Sequence, residues 1–118
     1  MHNRYRDSSP YTTKDGSIVR ELVHPQTHGN HNQSLAEAIV PPDTATLLHR
    51  HYQSEELYHI TSGEGVMILG DERFSVSVGD TVLIPAGTAH AIENNGDTEL
   101  TLLCCCAPAY SHEDTELL

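Results

Sequence analysis

The chain has 118 residues, the length of one ordinary domain, and it can bury a hydrophobic core without disulfide bonds. Seventeen acidic residues and six basic ones give a formal net charge of −11. Because no basic patch can be built from so few lysines and arginines, this composition argues against binding to nucleic acid or an anionic membrane. The nine histidines, in a chain with one Phe and no Trp, point instead to metal or small-molecule chemistry.

Short runs of apolar or alternating residues recur along the chain, separated by turn residues at intervals of about 8–12 residues. The clearest run, 74–78, alternates apolar and polar residues as a half-buried strand does. In chain order, the predicted strands are 18–23, 35–40, 46–51, 57–61, 65–69, 74–78, 81–84 and 99–106. Residues 24–33 are expected to form a loop, and 111–118 is the only segment that suits a short terminal helix. The pattern predicts an all-β fold, either a barrel or a sandwich.

The amino-terminal residues lack the apolar stretch of a secretory signal. No window approaches the run of about 18 apolar residues that a membrane span needs. The three cysteines are consecutive, at positions 104–106, and neighbours cannot form an ordinary disulfide in relaxed geometry. We therefore expect a cytoplasmic protein in which these cysteines act as small residues on a buried strand.

Candidate metal ligands lie in two clusters. Residues two apart on a strand share a face, so His49 and His51 should point to the same side, about 7 Å apart. Glu56 begins the next predicted strand, after a short turn that can bring its carboxylate beside this pair. The tight turn 85–87 precedes His90, which opens another strand and offers a third imidazole. Three imidazoles and one carboxylate suit Mn, Fe, Co, Ni, Cu or Zn better than Ca or Mg.

These clusters resemble the two motifs of the cupins. The first motif is Gly, five residues, His-x-His, three or four residues, Glu, six residues, Gly. It is filled here by Asp43, His49, His51, Glu56 and Gly63. The second is Gly, five residues, Pro-x-Gly, two residues, His, three residues, Asn, and it is filled by Gly79, Pro85, Gly87, His90 and Asn94. The one departure, Asp43 for Gly, falls in a predicted turn, where Asp is a common residue.

The resemblance implies a cupin-type antiparallel β-barrel, the double-stranded β-helix or jelly roll. The barrel would span residues 34–107, between an arm at 1–33 that carries the first strand and a tail at 108–118. Four residues match the family's metal ligands: His49, His51, Glu56 and His90. Glu55 also satisfies the first spacing, but only Glu56 is separated from Gly63 by six residues. One divalent transition-metal ion per chain would then keep positions free for water, substrate or dioxygen.

Strand alternation suggests which other side chains face the cavity. If Glu56 points inward, so does Tyr58, either as a core aromatic or as a phenol that hydrogen-bonds the substrate. On the last strand, Leu100, Leu102, Cys104 and Cys106 should share the inward face. Cys104 and Cys106 are then either small apolar residues or part of the cavity lining. Asn94 is expected to anchor backbone, and Arg50 to face outward. Three histidines of the predicted loop are expected to be solvated or to form part of a lid: His24, His28 and His31.

Two classes of function fit this site. The preferred hypothesis is a metal-dependent enzyme for a small organic molecule, of dioxygenase, isomerase or lyase type. The alternative is a non-catalytic cupin module that binds a sugar or another small ligand, since fold alone does not fix function. The resemblance also implies a homodimer, in which the strand at 18–23 could pair across the interface.

Overall fold

The computed structural model describes residues 1–118, and most of them lie in antiparallel strands. The strands are β1 (Tyr11–Thr12), β2 (Ile18–Val23), β3 (Ser34–Val40), β4 (Thr44–Ala45), β5 (His49–His51), β6 (Glu55–Ser62), β7 (Glu64–Leu69), β8 (Glu72–Ser77), β9 (Thr81–Ile84), β10 (His90–Asn94), β11 (Leu100–Ala107) and β12 (Thr115–Leu117). The helical segments are a 3₁₀ turn (Tyr5–Asp7) and α1 (Pro25–His28). The predicted all-β class is confirmed. No helix has the length and hydropathy that crossing a membrane would require.

The strands form two sheets. Sheet I has the order β1-β2-β3-β11-β6-β9, and sheet II has the order β12-β5-β10-β7-β8, with β4 beside β10. Neighbours within each sheet are often distant in sequence, as in the pairing of β3 with β11 and of β5 with β10. This arrangement is a jelly roll, and it confirms the predicted cupin-type architecture.

The hydrophobic core lies between the two sheets. In β6, the inward residues Glu56, Tyr58 and Ile60 are buried while the residues between them are exposed. This alternation removes one apolar face from water, and that burial is the main stabilising term of such a fold. The core cluster consists of Val19, Ala38, Val40, Tyr58, Ile60, Met67, Val76, Val82, Ile84, Ile92, Leu100 and Leu102. Cys104 packs against this cluster and Cys106 is buried, which confirms the predicted inward face of β11.

Two motif residues have structural roles. Asp43, in the first motif's Gly position, has a φ of 57°. Glycine adopts this left-handed conformation freely and Asp tolerates it, so the substitution preserves the turn. Asn94 is 1% exposed and donates from its amide nitrogen to the carbonyls of Val40 and Thr98, at 2.9 and 2.8 Å. It is therefore the backbone anchor that the sequence predicts.

The carboxyl-terminal segment 111–118 differs from the prediction. Thr115–Leu117 form the strand β12, and the segment contains no helix. β12 pairs with β5, with Thr115 opposite His51 and Leu117 opposite His49. A helix of at most eight residues would be only marginally stable by itself. The strand instead satisfies its backbone groups along the free edge of β5.

The amino-terminal region also differs from the prediction. His24 is buried instead of solvated: its Nδ1 accepts from the Gln26 N–H at the start of α1, and its Nε2 donates to the Tyr110 carbonyl at 2.8 Å. His31 is exposed. The strand 18–23 has partners within its own chain, since β2 pairs with β3 and its first two residues also pair with β1. One edge of β2 is paired with β3 and part of the other with β1. The full length of the strand is therefore not available to pair with a second copy.

The role of Asn94 gives a test of the fold. Asn94→Ala removes the donor to two carbonyls, so we expect the free energy of unfolding to fall by about 2–4 kcal/mol in urea denaturation. The control Asn95→Ala changes an exposed neighbour and should stay within about 0.5 kcal/mol of the wild type. Equal stability of Asn94→Ala and the control would contradict the anchoring role.

Candidate metal centre

The four predicted ligands meet between the two sheets. His49 and His51 come from β5 and His90 from the adjacent β10, where it pairs with His49, so all three imidazoles lie on sheet II. Glu56 faces them from β6 of sheet I. All four side chains are buried, and one ligand atom from each lies within 4.8 Å of the others. These four residues can hold one metal ion.

Hydrogen bonds on the far side of each ring fix which nitrogen faces the centre. Nδ1 of His49 lies 2.7 Å from the Leu47 carbonyl, and Nδ1 of His90 lies 2.9 Å from the Thr88 carbonyl. A carbonyl only accepts, so each Nδ1 carries the proton and each Nε2 keeps its lone pair. Such outer hydrogen bonds orient metal-binding histidines in proteins generally.

His51 also carries its proton on Nδ1, but here a side-chain hydroxyl accepts the hydrogen bond instead of a carbonyl. Its Nδ1 lies 2.9 Å from the hydroxyl of Thr115, which itself donates to the Ser111 carbonyl at 2.9 Å. Because the Thr115 hydroxyl donates its only proton to Ser111, it accepts the hydrogen bond from His51 Nδ1. Thr115 belongs to β12, so the segment predicted to form a terminal helix instead supplies a residue that orients a ligand. The sequence offered no local signal for it.

One carboxylate oxygen of Glu56, Oε1, lacks a hydrogen-bond donor. Its Oε1 lies 3.2 Å from Nε2 of His51 and 3.3 Å from Nε2 of His90. Oε1 and the His90 Nε2 are both buried without a hydrogen-bond partner. Burial alone would raise the pKa of Glu56, but hydrogen bonds from the His51 and His90 rings when protonated, and then their positive charge, outweigh burial and hold this pKa at about 2. With both rings neutral these donors are absent, so a cation at the centre would satisfy the orphaned acceptors and keep the carboxylate ionised.

The other oxygen of Glu56 is held by a thiol. The Cys106 Sγ donates to Glu56 Oε2 at 3.1 Å, and burial raises the pKa of this thiol, so that it stays protonated. Cys106 thereby leaves Oε1 as the oxygen that faces the imidazoles. Burial also lowers the pKa of His49, which favours its neutral, ligating form.

A cavity of about 50 Å³ is lined by three of the four residues, His49, His51 and Glu56. This volume admits a few water molecules or a ligand of a few non-hydrogen atoms. Tyr58, Cys104 and Cys106 belong to its lining, so Tyr58 is at once a core aromatic and a cavity residue. Burial raises the pKa of Tyr58 well above its usual value, which keeps the phenol protonated. A more open cleft shares Tyr11, Glu21 and Tyr110 with this cavity.

Several residues near the ligands in sequence lie outside the centre. Glu55 and His59 are exposed, and Arg50 points outward, as predicted, to an ion pair with Glu116 at 2.9 Å. Besides Thr115, the sequence missed Asp15, whose Oδ2 lies 3.6 Å from Nε2 of His49. Asp15 precedes Gly16 in a turn 34 residues before His49, and only the folded chain brings the two together.

The fold and the His₃Glu cluster define a small single-domain jelly roll with a candidate metal centre. Residues 36–106 match the family Cupin_2, described as a cupin domain, and the chain belongs to the cupins. The chain is 57% identical over its whole length, and over 94% of the relative, to the uncharacterized protein MJ1618 of Methanocaldococcus jannaschii. It is also 35% identical to the oxalate-binding protein of Thermotoga maritima, over 73% of this chain and 67% of that protein.

Comparison with solved structures agrees with this family. A predicted oxalate decarboxylase from Thermotoga maritima superposes with a TM-score of 0.78 at 26% identity, covering 92% of this chain and 99% of that one. The likeness therefore extends over nearly the whole chain.

The orientation of His51 gives a test of the centre. Thr115→Val removes the acceptor for Nδ1, so we expect neutral His51 to shift its proton to Nε2, toward Glu56. Nitrogen-15 NMR of the metal-free protein at about pH 8, above the ordinary histidine pKa, distinguishes the two tautomers. Thr115→Ser keeps the hydroxyl and should keep the wild-type signals. A wild-type His51 already protonated at Nε2, or one unaffected by Thr115→Val, would contradict the assignment.

Proposed function

We propose that this chain is a metal-dependent enzyme that acts on a small organic molecule, of oxygenase, isomerase or lyase type. Its cofactor would be one divalent transition-metal ion per chain, Mn, Fe, Co, Ni, Cu or Zn, held by His49, His51, Glu56 and His90. The observation that carries the proposal is the convergence of three imidazole lone pairs and an ionised carboxylate on one buried point beside a cavity. When bound, the ion would polarise an oxygen atom of the substrate as a Lewis acid.

The residues around the cavity would position the substrate. Eleven of the 21 lining residues are hydrophobic, so the cavity limits access of water to the reacting atoms. In this proposal Tyr58 touches the substrate, because its phenol stays protonated and can donate a hydrogen bond to a substrate oxygen. Cys106 acts through Glu56, whose Oε2 it holds.

A second candidate function is a binding module without catalysis. The oxalate-binding protein of Thermotoga maritima, at 35% identity, favours this reading, in which the cavity would hold a small ligand without converting it. Both candidates use the same four residues, and they differ in whether the bound molecule is converted.

Two further features belong to the proposal. Three free cysteines suit a reducing compartment, which supports a cytoplasmic location. The outer face of sheet I carries Leu57 and Leu83 side by side, 42% and 55% exposed, which supports a homodimer that covers them.

The metal content tests the proposal first. We expect about one transition-metal ion per purified chain, and we expect His49→Ala or His90→Ala to abolish it, because each removes a ligand from a buried four-residue site. His59→Ala, which removes an outward-facing imidazole from β6, is the matched control and should retain the metal. Stoichiometric metal in the double variant His49→Ala/His90→Ala would contradict the site.

The same preparations separate the two candidate functions. Metal-dependent consumption of dioxygen, or conversion of a member of a panel of diketones and phenols, would support the enzyme. Saturable ligand binding that survives removal of the metal, with no turnover, would support the binding module.

A further inference from the structure

Asp15 is held rigidly at the edge of the cavity. Its Oδ1 accepts from the hydroxyl of Thr13 at 2.6 Å and from the N–H and hydroxyl of Ser17 at 2.9 and 2.7 Å. Its carbonyl accepts from the Leu47 N–H at 2.8 Å, which ties the turn to the segment just before His49. These contacts use Oδ1 fully and leave Oδ2 directed at the candidate metal centre.

Oδ2 lacks a donor. It lies 3.6 Å from Nε2 of His49, too far for a hydrogen bond, and this nitrogen carries a lone pair because the proton of the ring is on Nδ1. Two acceptors thus face each other without a proton between them. A ligand that donates a hydrogen bond to Oδ2 would complete this arrangement.

The charge of the cavity lining disfavours an anionic ligand. Among its 21 residues are three carboxylates, Asp15, Glu21 and Glu56, and no Lys or Arg. Oε1 of Glu21 accepts from the Tyr11 hydroxyl at 2.7 Å, while its Oε2 is buried without a partner. Lys14, next to Asp15, donates to the Thr115 carbonyl at 2.8 Å and does not line the cavity. The three carboxylates outweigh one divalent ion, so an anionic ligand would meet net negative charge.

An acidic lining alone would not define a binding site, but this one surrounds buried polar atoms that need a partner. Oε2 of Glu21 and Oε1 of Glu56, both in lining residues, are buried without a partner, and the Glu56 residue is only 5% exposed. We propose that the ligand of this cavity is a small uncharged molecule with a hydroxyl group. The hydroxyl donates to Asp15 Oδ2, and Asp15 together with Glu21 excludes dicarboxylates such as oxalate. This inference rests on the proposed function, because the ligand would contact the ion as well as Asp15.

Two probes that coordinate metals through oxygen atoms separate these chemistries. Hydroxyacetone is uncharged when it coordinates through its carbonyl and keeps a hydroxyl donor, whereas oxalate is a dianion without a donor. Each is titrated into the Co²⁺-loaded protein, and the visible spectrum of the ion reports binding. In the wild type we expect hydroxyacetone to bind more tightly than oxalate. Asp15→Asn keeps Oδ1 as an acceptor and removes the charge, so we expect it to tighten oxalate binding about tenfold or more.

Matched variants complete the experiment. Asp71→Asn removes the same charge from an exposed turn between β7 and β8 and should leave both affinities unchanged. Glu21→Gln changes a second lining carboxylate and should also favour oxalate, which keeps the test decisive if Asp15→Asn fails to fold. A wild type that prefers oxalate, or lining variants that behave as Asp71→Asn does, would overturn the inference.

The metal titration distinguishes the remaining outcomes. If Asp15→Asn alone weakens Co²⁺ binding, Asp15 is a metal ligand and the proposed role is wrong. If the wild type takes up no Co²⁺, the proposed metal site fails and this inference falls with it. If Co²⁺ binds and hydroxyacetone leaves its spectrum unchanged, only the inference fails.

Discussion

The hydrogen bonds on Nδ1 of three buried histidines set the chemistry of this protein. Two backbone carbonyls and one committed hydroxyl hold these protons on the outer side of the rings. The Nε2 lone pairs consequently face one another and an ionised carboxylate. A cluster of acceptors at this spacing is repulsive without a positive charge at its centre. A metal ion removes the repulsion, and protons on the imidazoles would do so in acid, so metal and protons compete for the site.

The fold provides these constraints from both sheets. Sheet II presents the imidazoles from neighbouring strands, and sheet I presents Glu56 with the Cys106 thiol on its other oxygen. The last strand, β12, adds Thr115 behind His51. A site that spans two sheets depends on the packing between them, which the apolar core fixes. A buried polar cluster lowers the free energy of unfolding relative to a layer of apolar side chains at the same place. Such a loss of stability is typical of functional sites.

The sequence was most informative where residues close in the chain act together. Alternation placed Glu56, Tyr58 and Ile60 on the inner face of β6, and the motif spacings brought four distant residues to one centre. It failed where the partner is remote. Thr115 and Asp15 reach the centre through strand pairing and turn docking across more than 30 residues, and no local pattern reports such contacts. His24 was expected to be solvated because its neighbours are polar, yet it caps α1 and binds Tyr110.

The most direct test of the metal centre is X-ray absorption spectroscopy of the chain loaded with one Zn²⁺ ion. Three imidazoles and Glu56 predict a first shell made only of nitrogen and oxygen, at about 2.0–2.2 Å, with outer scattering from three imidazole rings. A sulfur neighbour at about 2.3 Å would contradict it, because it would place a thiolate, with Cys106 the nearest candidate, on the ion. Fewer than three imidazoles would contradict it equally.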